Sequence, residues 1–519
     1  MTPKGGFVSS NFMFMKTNKC IRPVGFDTQK YLDAQIEFIK NRVAKFDKLY
    51  LEFGGKLCCD SHAARVLPGY RPTAKIDLLK QLGDIDIISC ISAKHIEEGK
   101  KRGDSGLTYD LQTLKDISDI QDNGLQVNSV VITRYSGEAS VKKFKTKLEN
   151  YGIKVYIHNE IVGYPNDIES VLAGCERQPL VDTNKKLTII TGAGGNSGKM
   201  ATCLAQVYNE RRDGTKTGYA KFETFPIWNL ELDHPVNIAY EAATADLLDV
   251  NMIDPYHLKA YGKKVVNYNR DIENFDILIN IMKRITGEQE PFGYKSPTDM
   301  GVNMAAQGIV DDEVCRQAAK QEIVYRYFKY NREKLEGNEK QATIDYIKKI
   351  MKKASVSESD REVVIPARAA AIEAKKQKEK GNKGIFCGTA LQLCDGRIVT
   401  GKNSYLLHAE SAAVLNAIKV LAELPDETHL LPVEVIKNIN YLKTKILGEK
   451  TESLNLEETL IALAVSVASS QNAKLCVEKL KELEGCSLHS THLTSRGDEA
   501  GLRKLGLNAT TDAEHSIKF

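Results

Sequence analysis

Short, nearly continuous apolar runs alternate with amphipathic stretches along the first part of the chain. The amphipathic stretches, such as residues 28–46 and 138–152, place apolar side chains three and four positions apart, which predicts helices. The short runs are rich in β-branched residues and predict strands that are buried on both faces. They comprise residues 48–53, 84–92, 129–135, 154–162 and 186–191. Strands that alternate with helices predict an α/β fold with a doubly wound, mostly parallel sheet.

The pattern changes twice beyond residue 303. Residues 304–383 are typical of amphipathic helices and predict a helical middle segment, whose Ala/Lys/Glu-rich end is typical of a solvated helix face and linker. From residue 384 the chain predicts a hairpin that turns at Asp395-Gly396, followed by helices. We therefore expect an α/β nucleotide- or phosphate-binding-like body over 1–303, the helical middle segment, and a smaller α/β subdomain over 384–519.

The composition narrows the class of protein. A chain of 519 residues exceeds one ordinary hydrophobic core, and its 42% hydrophobic and 27% charged residues are typical of a globular protein. The 72 basic and 68 acidic residues balance too closely for a general nucleic-acid binder. The 11 cysteines contain no Cys-x-x-Cys pair and predict free thiols. No apolar run or N-terminal pattern indicates a membrane span or signal peptide, so we expect a cytoplasmic protein without a membrane partner.

A glycine-rich stretch, Gly-Ala-Gly-Gly-Asn-Ser-Gly-Lys at 192–199, follows a predicted strand and opens a predicted helix. A helix N-terminus presents unpaired N–H groups, and glycines allow a phosphate to approach that backbone closely. We therefore expect a small phosphorylated molecule to bind at this glycine loop. The candidate phosphate-binding residues are Gly192, Gly194, Gly195, Asn196, Ser197, Gly198 and Lys199.

Two kinds of nucleotide site share this spacing. A Walker A loop places Ser or Thr after the lysine to bind Mg²⁺, but Met200 occupies that position, and Asp233 is the best candidate for the second acid. A dinucleotide site uses the same glycines and an acid after the next strand, where Glu223 falls. A tight turn that binds nothing is the third alternative. The cofactor therefore stays open, and the loop favours binding over ATP hydrolysis.

Polar residues follow the first predicted strand as well. Asp60, His62 and Arg65 fall in a loop at its carboxyl end, the edge at which a parallel sheet binds ligands. Arg65 suits a phosphate or carboxylate clamp, and Asp60 and His62 suit proton transfer, which makes them the catalytic candidates of this region. Capping and turn formation are the structural alternative for all three.

The later strands end in further polar residues. Arg134 is a second candidate phosphate ligand, and His158 and Glu160 lie near the end of the next strand. The loop at 295–303 is dense in polar and turn residues, among them Lys295, Ser296, Thr298, Asp299 and Asn303. Such loops either close over a ligand or connect domains.

The C-terminal part contains His408-Ala409-Glu410 at the start of a predicted helix. Residues 385–424 resemble the zinc helix of cytidine deaminases with its preceding hairpin, which implies that His408 binds zinc and Glu410 shuttles protons. The Pro-Cys-x-x-Cys half of that signature is absent. A replacement cluster acceptable to a metal would draw on Cys486, His489 and His492. We expect a deaminase-like fold without zinc and without deaminase chemistry.

An ordered set of motifs extends over nearly the whole chain. It comprises FGGKL, DSHAARVLPGY, VVITRY, TGAGGNSGKM, FPIWNLELDHPVNIAYEAATADL, YKSPTDMGVNM and LLHAESAAVLNAIK. The set resembles the bacterial family described as domain of unknown function eighteen forty-six. That resemblance implies a nucleotide-binding-like body, a helical middle and a deaminase-like C-terminal subdomain, with Met200 as part of the pattern. It implies no assigned catalytic residue.

The sequence thus favours a protein that binds a nucleotide or phosphorylated metabolite, and it leaves the reaction open. A non-catalytic regulatory module, a metal-dependent hydrolase or deaminase that uses Glu410, and an NAD(P)-binding oxidoreductase are the alternatives. The expected partners are a small phosphorylated molecule and further copies of the chain in a homo-oligomer, without nucleic acid.

Overall fold

The computed structural model of the protein describes residues 23–102 and 106–515. The N-terminal segment, whose sequence predicts no signal peptide, lies outside this range. The chain packs as two compact units, one formed mainly by Pro23–Arg361 and the other mainly by Glu362–Thr510. The expected three-part division remains a prediction.

The larger unit alternates strands and helices before it ends in two long helices. Its strands are β1 (Lys48–Phe53), β2 (Ile85–Ser92), β3 (Ser129–Tyr135), β4 (Lys154–Asn159), β5 (Leu187–Gly192), β6 (Thr217–Phe222), β7 (Asn251–Ile253), β8 (Val266–Tyr268) and β9 (Gly301–Val302). Its helices are α1 (Thr28–Val43), α2 (Ser61–Val66), α3 (Ala74–Leu82), α4 (Ala93–Glu97), α5 (Tyr109–Asp122), α6 (Ala139–Asn150), α7 (Ile168–Arg177), α8 (Lys199–Arg212), α9 (Pro235–Ala243), α10 (Pro255–Tyr261), α11 (Asn269–Thr286), α12 (Pro297–Met300), α13 (Asp312–Leu335) and α14 (Gln341–Lys353).

A parallel sheet forms the centre of the larger unit. Within the described residues it has seven strands in the order β4-β3-β2-β5-β1-β6-β9. The strand β5 lies between β1 and β2, with Leu187 opposite Leu49 on one side and opposite Ile85 on the other. The predicted α/β fold with a mostly parallel sheet is confirmed, as are the five predicted strands, although β4 ends three residues early.

Apolar side chains cover both faces of this sheet. On one face Tyr50, Ile190 and Tyr219 form a buried cluster with residues of α7, α8 and α11. On the other face Phe53 and Phe222 stack with their ring centroids 4.1 Å apart. Burial on both faces explains why these strands are nearly continuous apolar runs in the sequence.

The smaller unit contains a second sheet with helices around it. Its strands, β10 (Gly388–Gln392), β11 (Ile398–Lys402), β12 (Ser487–Ser490) and β13 (Asn508–Thr511), are arranged in the order β11-β10-β12-β13. Its helices are α15 (Val364–Ala374), α16 (Ala409–Leu421), α17 (Val433–Tyr441), α18 (Leu456–Ser466), α19 (Gln471–Lys479) and α20 (Arg496–Lys504). The predicted hairpin at Asp395-Gly396 is confirmed by the antiparallel pair of β10 and β11.

The charged stretch at the end of the predicted middle segment differs from expectation. The helix α15 ends at Ala374, whereas the Ala/Lys/Glu composition predicts a helix that continues to the glycine-containing break before residue 384. The residues beyond Ala374 bring few apolar side chains to bury, and helices in proteins depend on such packing. Elsewhere in the described chain, no helix combines the length and the apolar character needed to cross a lipid bilayer.

Close packing in the smaller unit leads to a first testable prediction. Gly401 of β11 lies where α16 crosses, and an added Cβ would collide with backbone atoms of Ala409 and Ala413. Backbone atoms cannot rotate away as a side chain can, so Gly401→Ala should lower the free energy of unfolding by about 3 kcal/mol. Denaturant unfolding of the full chain measures this loss.

The matched control is Gly195→Ala in the larger unit. No described atom lies within 4 Å of the Cβ position at Gly195, and its φ is outside the left-handed region. We expect this change to alter the free energy of unfolding by no more than about 1 kcal/mol. Equal unfolding of the two variants would contradict the tight contact between β11 and α16.

Candidate functional site

The connections that follow two neighbouring strands of the larger sheet, β2 and β5, lead toward opposite edges of the sheet. The chain leaves β2 through α4 and α5 toward β3, and it leaves β5 through α8 toward β6. In open parallel sheets, ligands bind at the carboxyl ends of the strands where the strand order reverses in this way. We call the carboxyl ends of β2 and β5 the switch point. The glycine loop at 192–199 directly follows β5 and therefore lies at the switch point.

The glycine loop passes over the end of β2 toward β3. Thr133 of β3 donates a hydrogen bond from Oγ1 to the carbonyl oxygen of Ser197 at 2.8 Å. Asn196 and Gly198 have left-handed backbones, with φ of +56° and +82°. Gly198 leads into α8, a helix of 14 residues whose N-terminus has no side-chain cap. The loop thus leaves the positive end of the α8 dipole open to an anion.

Packing explains three of the glycines in this loop. A Cβ added to any of them would lie 2.5–2.6 Å from a neighbouring side chain, and this applies to Gly192, Gly194 and Gly198. Gly195 is different, because nothing described lies within 4 Å of its Cβ position and its φ is not left-handed. The fold therefore does not require glycine at position 195. Because this residue is glycine, no side chain covers the exposed backbone there.

Lys199 begins α8 directly after the loop. Its Nζ lies 3.5 Å from the carbonyl oxygen of Gly194 and 3.5 Å from Oγ of Ser197. The side chain is half-buried and makes no ion pair with any described residue. Met200 packs against the apolar cluster of the sheet, and Thr202 donates its hydroxyl to the carbonyl of Gly198 at 3.0 Å. Met200 has no hydroxyl, and the Thr202 hydroxyl is already bonded to the helix backbone, so neither residue offers a hydroxyl to a magnesium ion at the loop.

The short helix α4 brings His95 to the other side of the switch point. The ring centroid of His95 lies 4.6 Å from that of Tyr109, and the Tyr109 ring fills the space over Gly194. His95 is only 7% exposed, and its Nδ1 has no hydrogen-bond partner in the described part of the chain. Burial lowers the pKa of His95, helped by the charges of Lys100 and Arg134. The sequence reasoning missed His95 because nothing in the local pattern links it to the loop.

Further cations approach the glycine loop from the same segment. Arg102 donates from its guanidinium to the carbonyl oxygen of Ala193. The Nζ of Lys100 lies 5.9 Å from the ring centroid of Tyr109. Lys100 and Arg102 thus bring two further cationic groups to the switch point beside Lys199, and cationic groups attract anionic ligands.

A buried charged network lies at the ends of β1 and β6. Lys221 binds Asp271 at 2.6 Å and lies 2.9 Å from Oε1 of Glu223, which also accepts a hydrogen bond from the Tyr268 hydroxyl at 3.0 Å. Burial raises the pKa of Glu223. These contacts tie Glu223 to residues of its own unit.

The position of Glu223 bears on the dinucleotide alternative. That arrangement requires an acid at the end of the strand next to the glycine-loop strand. Here β1 separates β5 from β6, so Glu223 follows a strand that is two positions away from β5. The carboxylate near the carboxyl end of β1, the strand between β5 and β6, is Glu52, which accepts a hydrogen bond from the Tyr219 hydroxyl at 2.9 Å. A charged residue within the apolar run 48–53 is the sequence signal that could have identified Glu52.

Asp60, His62 and Arg65 all belong to the α2 region, which packs against α9 and α13. Asp60 caps α2 by accepting a hydrogen bond from the Ala63 N–H at 3.0 Å, and it forms an ion pair with Lys75 at 2.9 Å. In the protein without a ligand, Asp60 therefore acts as a helix cap, which is the structural alternative to proton transfer.

The side chain that holds His62 and Arg65 is Glu322 of α13, which is completely buried. Arg65 contacts Glu322 in a bidentate manner, from Nε at 2.5 Å and Nη2 at 2.9 Å. Nδ1 of His62 lies 3.0 Å from the same carboxylate, and Arg326 donates to it at 2.7 Å. Arg65 is thus a carboxylate clamp, but the carboxylate belongs to the chain itself and not to a ligand.

The remaining strand-end candidates also have partners within the larger unit. Arg134 lies 3.2 Å from Glu160, which binds Lys94 at 2.7 Å. His158 lies with Nε2 3.0 Å from the carbonyl oxygen of Pro179, and burial lowers the pKa of His158 to about 4. Of these residues, Arg134 is close enough to act on His95 at the switch point.

The polar loop at 295–303 is held by hydrogen bonds within the loop and to other segments of the larger unit. Ser296 caps α12, Thr298 donates to Asp254 at 2.6 Å, and Asn303 donates to the carbonyl of Pro226 at 2.9 Å. Asp233, the candidate second acid of a Walker site, has a side chain that is 79% exposed and lies 3.7 Å from Lys353 of α14.

The smaller unit contains a separate cluster of polar residues. His408, Glu410 and Asp498 form the one group of His, Cys, Asp or Glu in the described chain that brings potential metal-ligand atoms within 4.8 Å of one another. Nδ1 of His408 lies 2.6 Å from Asp498, and Ser490 donates to Glu410 at 2.5 Å. Burial, together with the nearby Asp498 carboxylate, raises the pKa of Glu410.

The structure does not gather the other C-terminal metal candidates around His408. Cys486 is buried in the apolar core of the smaller unit, Nδ1 of His489 lies 3.0 Å from the Thr510 hydroxyl, and His492 lies 3.9 Å from Glu514. The third member of the cluster is Asp498, which the sequence reasoning missed. The sequence feature that could have drawn attention to Asp498 is a helix-capping pattern, because Ser495 lies three positions before it at the start of α20.

Fold and loop together define a class: α/β proteins with a parallel sheet and a glycine loop at the switch point. The family model described as domain of unknown function DUF1846, N-terminal, matches residues 24–355, and the corresponding C-terminal model matches residues 359–518. The chain therefore belongs to the DUF1846 family.

Bacterial relatives match along almost the whole chain. A UPF0371 protein of Clostridium tetani is 48% identical over 495 residues, which cover 95% of this chain and 98% of the relative. A UPF0371 protein of Clostridium botulinum (strain Langeland) is 49% identical over 496 residues, with the same coverage. The deaminase-like character of the C-terminal part remains a prediction.

The Glu322 cluster generates a second testable prediction. Glu322→Ala removes the carboxylate that neutralises Arg65 and Arg326 and leaves their largely buried guanidinium groups uncompensated. We expect the free energy of unfolding to fall by about 3–5 kcal/mol, measured by denaturant unfolding of the full chain.

Glu313→Ala on the same helix is the control, because Glu313 is exposed in the first turn of α13. Loss of its favourable interaction with the helix dipole should cost no more than about 1 kcal/mol. If Glu322→Ala were as stable as Glu313→Ala, the cluster would not hold α2 to α13 as we describe.

Proposed function

We propose that the protein binds a small phosphorylated molecule, either a nucleotide or a phosphorylated metabolite, with its phosphate at the glycine loop. The observation that carries this proposal is Gly195, the glycine in the loop that packing does not require. A residue without a side chain at an exposed position leaves room for a phosphate against the backbone.

The electrostatics of the loop support the same proposal. The N-terminus of α8 has no side-chain cap, so its N–H groups are available to phosphate oxygens. Lys199 adds a half-buried ammonium group that makes no ion pair within the described chain. A phosphate would supply both the acceptors and the negative charge that this end of the sheet lacks.

The side chains after the loop favour binding over ATP hydrolysis. The residue that binds Mg²⁺ in a Walker loop is a Ser or Thr directly after the lysine, and Met200 is turned into the apolar cluster instead. The nearby Thr202 hydroxyl is engaged by the helix backbone. A regulatory module that binds a ligand without turnover is therefore compatible with the loop.

The test is a thermal-shift screen of the full chain with ATP, NAD, NADP and glucose 6-phosphate. A ligand that binds the folded state raises the melting temperature in proportion to its concentration and affinity. For a ligand found in this way, Lys199→Ala should weaken the affinity at least about tenfold, because a charge-assisted contact is lost. The exposed residue Lys263 provides the control variant Lys263→Ala, which should bind as the wild type does.

Gly195→Ala tests the same site without removing a charge. The added methyl group fits the free protein, so the melting temperature without ligand should change only slightly. In the complex the methyl group stands where a phosphate approaches the backbone, and the affinity should fall. The proposal fails if both Lys199→Ala and Gly195→Ala bind every ligand of the screen as tightly as the wild type.

A second candidate function is a metal-dependent hydrolase or deaminase in the smaller unit. It is favoured by the convergence of His408, Glu410 and Asp498, which offer one nitrogen and two carboxylate oxygens within 4.8 Å of one another. Three protein ligands of this kind suit a catalytic zinc ion, which activates water for attack. Hydrogen bonds that merely hold His408 in place are the structural alternative.

Metal analysis of the purified full chain separates these alternatives. The metal-dependent function predicts close to one zinc ion per chain, and the double change of His408→Ala and Asp498→Asn should abolish the bound zinc. His489→Gln is the control, because His489 lies outside the cluster and bonds Thr510. A zinc content far below one ion per chain after incubation with zinc and removal of the excess would exclude this function.

A further inference from the structure

His95 is buried at the switch point without a partner for one of its ring nitrogens. Its side chain is more than nine-tenths buried, and its Nδ1 lacks a hydrogen-bond partner among the described residues. A buried polar atom without a partner costs about 1–3 kcal/mol, and buried groups in native proteins almost always have partners. The missing partner therefore requires an explanation.

The surroundings of His95 indicate the charge of that partner. The ring lies against Tyr109 of α5, and the phenol ring of Tyr109 lies against Gly194 of the glycine loop. Lys100 and Arg134 act on His95 as cations, and Glu98 is the acid that opposes them.

The elements packed against α4 bring further charges, and Glu160 pairs with both Lys94 of α4 and Arg134. The contact with α6 is made by Ser140, which donates to one oxygen of Glu97 from its N–H and its hydroxyl, and these bonds lower the pKa of Glu97 and keep it negatively charged. Arg134 comes from β3, the neighbour of β2 in the sheet. Among the charges that act on His95 itself, Lys100 and Arg134 are positive and Glu98 is negative, which favours an anionic partner.

We propose that His95 contacts the phosphorylated ligand at the switch point and takes up a proton when the ligand binds. This inference rests on the proposed function. The proton comes from solvent and attaches to a ring nitrogen, and the resulting imidazolium N–H donates a hydrogen bond to a phosphate oxygen. No covalent bond forms or breaks. The ligand class is a phosphate ester or anhydride whose phosphate carries two negative charges.

A defined pH dependence follows from this arrangement. In the free protein, burial lowers the pKa of His95, so the imidazole is neutral near pH 7. A bound dianion stabilises the charged form and raises that pKa. Affinity should therefore increase as the pH falls from about 8 toward the pKa of His95 in the free protein, and binding should consume protons.

Isothermal titration calorimetry of the full chain tests the proposal, with inorganic pyrophosphate and inorganic sulfate as probes. Sulfate is a dianion that does not titrate between about pH 5 and 8, the range in which histidine titrates. Measurement in two buffers of different ionisation heat gives the number of protons taken up on binding. The wild type should take up protons with sulfate, and its affinity should increase as the pH falls.

Two variants separate proton uptake from packing. His95→Asn keeps a polar atom near the position of Nδ1 but cannot titrate, so it should bind sulfate with no proton uptake and a flat pH profile. His95→Phe keeps the ring contact with Tyr109 but lacks polar atoms, and we expect about a tenfold loss of affinity. His429→Gln, at an exposed position in the smaller unit, should behave as the wild type.

The outcomes distinguish this inference from the proposed function. If the wild type binds neither probe nor any ligand of the thermal-shift screen, the proposed function fails and this inference fails with it. If binding depends on Lys199 but His95→Asn takes up as many protons as the wild type, the role of His95 is wrong while the glycine-loop site stands. Unchanged affinity in His95→Phe, with its melting temperature preserved, would also overturn the role of His95.

Discussion

The strand β5 joins the two halves of the larger sheet. In the described sheet, β4, β3 and β2 lie on one side of β5, and β1, β6 and β9 lie on the other. Leu187 to Ile190 of β5 pair with β1 and β2 at the same time, and their side chains are almost completely buried. Removal of β5 would separate the sheet, so its position is among the most strongly constrained in the unit. The glycine loop begins where this strand ends, so the fixed position of the strand also fixes the start of the loop.

The insertion of β5 between β1 and β2 also determines which residues meet. Along the sequence, β1 to β4 come first, and β5 follows them but lies between β1 and β2 in the sheet. This insertion brings residues 192–199 beside the segment after β2, which precedes them by about a hundred positions. It also places Glu223 two strands from the loop. Strand order therefore assigns His95 and Tyr109 to the switch point.

Local patterns predicted the elements well and their spatial order poorly. The apolar runs identified β1, β2, β3, β4 and β5 because strands buried on both faces leave an unmistakable composition. The glycine loop was recognised because its spacing is local. The partner of Arg65 is Glu322, which lies 257 positions away, and no local pattern reports such a contact. His95 and Asp498 escaped prediction for the same reason, since each acquires its neighbours through tertiary packing.

The charges of the larger unit fall into two groups. Glu322 is matched by Arg65 and Arg326, and Lys221 is matched by Asp271, so these buried charges are compensated within the chain. At the switch point, Lys199 makes no ion pair and one nitrogen of His95 makes no hydrogen bond within the described residues.

Polar groups that leave water without gaining a partner lower stability, so two unmatched groups beside one glycine loop require an explanation. An anionic ligand would supply the acceptors that both groups lack. The contrast between these compensated charges and the two unmatched groups, more than the glycine spacing itself, is the reason to propose a binding site at the switch point.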